Sequence, residues 1–287
     1  MSRRIRYDAW SRADGTLRRQ DAQMRTWTSP WCEPGFAFAD LVASWEATTP
    51  RGSWMEVAAQ GRGSPTWHGL GTWASGRRAT HRASATGDPE VDTDVWRPRE
   101  RLDAYRLRLR LHGACELDRI GAVVSAGEVR TDTSPPLRRT ERVLDVTRLS
   151  QLTWQEVGGR GWCSPTSVAM VLAHAGTLPP TTDIPSAADA VFDPAYDGTG
   201  NWSFNTAWVA GLAGHAFVTR LRDLRDAERF VDAGIPVVAS VAYPAGALRG
   251  APTQATERPP PGDPRLHGRG RRRRQRPGRP HRAQRAS

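Results

Sequence analysis

Tyr105-Arg106-Leu107-Arg108-Leu109-Arg110-Leu111 alternates apolar and cationic residues without a break. A period of two is the mark of a strand with one buried and one solvated face. Outward from it, 53–59, 67–73, 91–96 and 120–124 have the same short, half-apolar character. They are separated by Gly, Pro, Asp and Ser clusters at the spacing of a β-sandwich. Helical periodicity is absent there. A stretch with two prolines and two arginines, Asp132-Thr133-Ser134-Pro135-Pro136-Leu137-Arg138-Arg139, then reads as a linker.

The pattern changes after the linker. Ser164-Pro165 predicts a helix start, with Ser164 as N-cap and Pro165 at the first helical position, and Val168, Val171, Leu172 and Ala175 share a face before Gly176. A second helix is predicted over 223–233, closed by Gly234-Ile235-Pro236, followed by a buried strand over 237–241. A further strand is predicted over 216–219. The fold class is therefore α+β: residues 1–131 a Trp-rich β-sandwich, 132–142 a linker, 143–255 a mixed domain, and 256–287 a basic tail that cannot form a core.

The chain has 287 residues and a net charge of +11, with 12 Trp. No apolar run approaches the roughly 18 residues that span a bilayer, and no apolar signal segment follows Met1-Ser2-Arg3-Arg4. These features lead to the expectation of no membrane partner and, by default, a cytoplasmic chain. Most of the positive charge is local: eleven Arg against Glu257 and Asp263 after position 250. Such a tail binds phosphate weakly whatever its origin, so no specific nucleic-acid function is inferred from it. Cys32, Cys115 and Cys163 lie far apart and form no C-x-x-C pair, so neither a metal site, a cofactor nor a disulfide framework is expected.

Cys163 stands where chemistry is expected. In Gly161-Trp162-Cys163-Ser164-Pro165 a thiol meets a helix start. Unpaired backbone N–H groups and the positive end of the macrodipole favour thiolate there.

GWCSPTSVAMVLAHAG (161–176), with Leu149-Ser150-Gln151 upstream and YDGTGNWSFNTAW (196–208) and GHAFVTRLRDLRDAERFVDAGIPVVASVAY (214–243) downstream, resembles the bacteriocin-processing-type peptidase family of the papain-like superfamily. FADLVASWEATTPRGSWMEV (38–57) and LGTWASG (70–76) are similar to the Trp-rich sandwich that precedes such domains. The resemblance implies a papain-like peptidase domain, a peptide or protein substrate, Cys163 as nucleophile, and Gln151 as the side-chain donor to the oxyanion, with Gln155 a weaker candidate. It also implies a general base in a Gly-His-Leu strand start and an orienting residue in Asn-Asp-Pro. Neither motif is in the sequence. His215 is the nearest substitute base, and His174 is placed at the end of the Cys163 helix.

The tail has the composition of G- and C-rich DNA read out of frame. Thr256-Glu257-Arg258-Pro259-Pro260 can be encoded so that removing one base yields Thr-Asn-Gly-His-Leu. Permitted codons continue to a Val run over Arg272-Arg273-Arg274 and then Asn-Asp-Pro. The sequence therefore predicts a cysteine-peptidase-like protein with an incomplete peptidase domain, inactive as written. The alternative is a non-catalytic binder that holds glycan or peptide on the sandwich, for which Trp45, Trp54, Trp67 and Trp73 would have to be exposed together.

Overall fold

The computed structural model describes residues 4–127, 135–137 and 141–241. Most of the expected linker and all of the tail lie outside them. Met1–Ala239 form one compact unit, separate from Ser240–Ser287. Within it, two antiparallel sheets are followed by helices, an α+β architecture.

The alternating segment forms β10 (Tyr105–His112), with its leucines fully buried and its arginines outward. β10 lies between β3 (Met24–Thr28) and β5 (Trp54–Gly61) in a six-stranded sheet that includes β2 (Thr16–Arg19), β6 (His68–Trp73) and β7 (Ala83–Ser84). The other sheet has the order β1-β11-β4-β9-β8, from β1 (Ile5–Ser11), β11 (Glu116–Ser125), β4 (Asp40–Thr48), β9 (Val95–Trp96) and β8 (Val91–Asp92). Trp27, Met55, Leu107 and Leu109 from one sheet and Leu41, Trp45, Ile120 and Val124 from the other share a single core.

Among the described residues four α-helices follow: α1 (Cys163–His174), α2 (Ile184–Val191), α3 (Trp202–Ala213) and α4 (Leu224–Asp232). The expected α4 is present, capped by Asp223 accepting from the Arg225 N–H. Among the described residues the two strands expected after α3 do not form. Residues 216–219 instead lie across β4, where the Val218 N–H donates to Ser44 Oγ at 3.1 Å. Residues 237–241 are exposed: Val238 is 48% and Val241 56% accessible. A strand needs a neighbour to take its N–H and C=O groups, and none of the described residues lies alongside in a ladder. Val237 and Val238 instead border an apolar groove of about 430 Å³ with Val143, Val146, Met170 and Val171.

Among the contacts that lock the helices to the sheets, three stand out. Phe204 of α3 is fully buried and enters the sheet core, its ring centroid 5.3 Å from Trp73 and 6.2 Å from Trp45. Arg82, 1% exposed, donates across the boundary to the carbonyls of Ala190 at 2.5 Å, Asp189 at 2.7 Å and Phe192 at 2.8 Å, and to Gly76 on its own side at 2.8 Å. Asp94 Oδ2 accepts the first N–H of α3, from Trp202, at 2.5 Å.

Removing the Arg82 fork would leave several buried carbonyls without donors, at about 1–3 kcal/mol each where water cannot reach them. Arg82→Leu is therefore expected to destabilise the unit by about 3–5 kcal/mol, seen as a fall in the midpoint of denaturant unfolding. Burial raises the Asp94 carboxyl from its ordinary 3.8 to about 6. The native state thus binds more protons than the unfolded chain between about pH 4 and 6, and stability contributed by this group falls as pH rises through that window. Asp94→Asn keeps an acceptor for Trp202 and should flatten that part of the thermal-stability profile.

Candidate active site

α1 begins at Cys163, two residues before the sequence-predicted start, with Trp162 as its N-cap. Ser164 does not cap it, because the preceding backbone is already wound into tight turns. These run over Gln151–Val157 and Gly159–Gly161, and Trp162 N–H donates to the Gly159 carbonyl at 3.1 Å. Pro165 thus occupies the third helical position, and Thr166 N–H makes the first bond back, to the Trp162 carbonyl. The N–H groups of Cys163 and Ser164 have no intrahelical acceptor. Cys163 is exposed, whereas Cys32 and Cys115 are buried, and all three are free thiols. Burial pushes the Cys32 thiol up to about 11 and that of Cys115 to about 12.

The turn carrying Cys163 is held from both sides. Gln151 Nε2 donates to the Arg160 carbonyl at 3.1 Å, which leaves the amide a second N–H. Gln155 accepts from Arg160 Nη2 at 3.1 Å. Glycine is required at position 159, since a Cβ there would lie 2.4 Å from the Gln151 carbonyl oxygen. From the other side, Thr199 Oγ1 donates to the Gly161 carbonyl at 3.1 Å.

Thr199 belongs to a loop organised by Asp193, a fully buried carboxylate. Asp193 Oδ1 accepts from the N–H groups of Ser84 in β7 and of Ala195, both at 3.0 Å, and Oδ2 accepts from Asn201 Nδ2 at 3.0 Å. Asn201 in turn caps α3 by accepting from the Phe204 N–H. A continuous path therefore runs from the sheet edge through Asp193 and Thr199 to the backbone two residues before the thiol. Reading the sequence missed Asp193, α2 and α3. The available signals were Asp183 and Asn201, each a side-chain cap placed directly before its helix.

None of the five described histidines bonds to the Cys163 sulfur. His215 pairs with Glu46 of β4 and lies 5.5 Å from the Phe217 ring. His174 closes α1, and its Nδ1 contacts the Asp145 carbonyl rather than one of the helix's own. His68 pairs with Asp88, and His81 and His112 stack on the two faces of Trp54. Among the described residues no group of three His, Cys, Asp or Glu could hold a metal ion, and no helix is long and apolar enough to cross a membrane.

Residues 4–130 match the family model described as the Peptidase C39 N-terminal domain. Residues 143–258 match the Peptidase C39 like family. The two matches, lying one after the other, define a cysteine-peptidase-like protein. The chain belongs to the C39-like peptidase family. No curated protein matches it.

Thiol chemistry should follow this geometry. In native protein at neutral pH, iodoacetamide is expected to label Cys163 and spare Cys32 and Cys115, and all three should react after denaturation. Thr199→Val, which removes only the donor to Gly161, should change the Cys163 labelling rate severalfold while costing about 1 kcal/mol of stability. Peptide mapping and a denaturant titration check the two statements.

Proposed function

We propose that the chain is a thiol peptidase by design, with Cys163 as nucleophile and Gln151 as oxyanion donor, and that it lacks its general base as written. The observation that carries this is the exposed thiol at the first position of α1, beside two unclaimed backbone N–H groups and held by Gln151 and Thr199. The Cys163 thiolate attacks a peptide carbonyl carbon and forms a C–S bond. The negative charge moves to the carbonyl oxygen, where the Cys163 N–H and the Gln151 amide receive it. Collapse expels the amine, which must take up a proton, and leaves an acyl-enzyme that water hydrolyses.

The proton steps need a base and acid. The family's Gly-His-Leu and Asn-Asp-Pro motifs are missing from the sequence, and the five described histidines are committed elsewhere. General acid–base catalysis contributes roughly 10²–10⁴-fold, so turnover should be close to nil. A single-base frame change near the Thr256 codon would account for the loss, since codons permitted by the tail can be chosen so that the shifted frame spells both motifs in order.

The glycan-binding alternative called for four tryptophans exposed together. Trp45 and Trp73 are core residues at 1% exposure, and Trp54 and Trp67 are half-buried, their faces stacked by His81 and His112 and by Arg106 and Arg108. That arrangement favours packing over sugar stacking.

Two proteins make the test: the chain as written, and one expressed after removing the extra base at the Thr256 codon. Incubated with a peptide library and read by mass spectrometry, the first should give no cleavage. The second should cleave, and Cys163→Ala should abolish this. Thiol-dependent cleavage by the chain as written would refute the missing-base reading.

A further inference from the structure

β10 turns Arg106, Arg108 and Arg110 to the outer face of the six-stranded sheet, at the two-residue repeat of a strand, about 6.8 Å. The helices pack elsewhere: α3 on β4, and Arg82 binds the end of α2 behind β7. This sheet face is consequently open among the described residues.

Its cations are held in a particular way. The Arg106 guanidinium lies 4.6 Å from the Trp31 ring centroid and 5.2 Å from that of Trp67, and Arg108 lies 4.2 Å from Trp67. A cation over an aromatic ring is attracted by the ring's quadrupole, and a guanidinium so held keeps several N–H donors. Arg110 has a carboxylate partner, Glu56, at 3.2 Å. Arg106 has only a neutral one, Gln60, at 2.7 Å, and among the described residues no carboxylate is ion-paired with Arg108. The cross-strand neighbours of Arg108 are Thr28 and Ala58, and that of Ala58 is Gly69. These short side chains make a shelf around the guanidinium. Partial burial and the neighbouring Arg110 lower the Arg108 pKa, only partly offset by Glu56.

We propose that this face docks an extended acidic peptide, with carboxylates on alternate residues meeting Arg106 and Arg108. Alternate side chains of an extended chain share the spacing of alternate side chains on β10, so one register can satisfy both cations with forked hydrogen bonds. Two other anionic partners fit less well. Nucleic-acid bases and sugar rings bind by stacking on free aromatic faces; Arg106 and Arg108 both lie over the half-buried Trp67, and Trp31, 39% exposed, has Arg62 and Arg106 over its ring. The chain's own Arg-rich tail is repelled by like charge. The proposal rests on the peptidase reading only in taking that peptide to be part of the substrate, held away from Cys163.

The test is fluorescence anisotropy with the full chain and three labelled octapeptides: alternating Glu-Thr, the same composition in two blocks, and alternating Gln-Thr. Oligothymidylate and a sulfated oligosaccharide of equal charge are further probes. The alternating acidic peptide should bind on the order of tenfold tighter than the block peptide, because the tail attracts both equally. Arg106→Gln with Arg108→Gln should erase that difference, and Arg108→Lys, which keeps the charge but not the fork, should lose severalfold. Circular dichroism checks that each variant is folded. Equal affinity for the two acidic peptides, or no effect of the double substitution, would overturn the proposal. So would tighter binding of oligothymidylate or oligosaccharide that depends on the same arginines. Cys163→Ala should bind normally. Docking by the full chain with no Cys163-dependent cleavage by the frame-restored protein would refute the peptidase reading and leave this one standing, and cleavage by that protein without docking would do the reverse.

Discussion

The insertion of Phe204 between Trp45 and Trp73 is the contact on which the rest of the unit depends. A two-sheet core is open at its end, and α3 closes it by burying an aromatic ring, worth about 2–3 kcal/mol by transfer alone. Once that ring is seated, the polar groups at its margin have fixed partners. Ser203 Oγ donates to the Ala43 carbonyl at 2.6 Å, Trp202 N–H reaches Asp94, and Arg82 takes the carbonyls at the end of α2. Each is buried and satisfied, so none can be surrendered cheaply. The sheets are thus part of the framework that sets the helices.

This has a consequence for the thiol. The turn before Cys163 is positioned by side-chain bonds to its carbonyls, from Gln151 on one side and Thr199 on the other. Thr199 takes its position from Asp193, and Asp193 is tied to β7 through Ser84. The nucleophile turn is therefore referenced to the six-stranded sheet, and the N-terminal half contributes to placing Cys163 without touching it.

The parts legible in the sequence were those governed by local pattern. β10 was readable because one face is wet and the other dry, and α4 because Asp223 and Gly234 bracket an amphipathic run. β4 was not, since it is buried on both faces, between the core and α3, and has no alternation to detect. α3 was missed for the same reason: Phe204, Ala207 and Val209 are all buried, on more than one side. The start of α1 was misplaced because Ser164-Pro165 is a good cap locally, whereas the turns over 151–161 bring helical geometry in earlier. The thiol itself was legible. Its supports through Thr199 and Asp193 were not, because those contacts cross 38 and 109 residues of chain.

The exposed run at 237–241 bears on the frame proposal through its chemistry. Its β-branched residues suit a strand, yet Val237 and Val238 stand 39% and 48% accessible beside an apolar groove floored by α1. Apolar area of this kind favours burial at about 25 cal/mol per Å². Under the proposed frame change, permitted codons would place a Val run where the chain as written has Arg272-Arg273-Arg274. A β-branched segment could pair with 237–241 and cover the groove, and three arginines could not without burying charge. On the proposed frame change, the loss of the base and the loss of a β-branched segment able to cover the groove would have one cause.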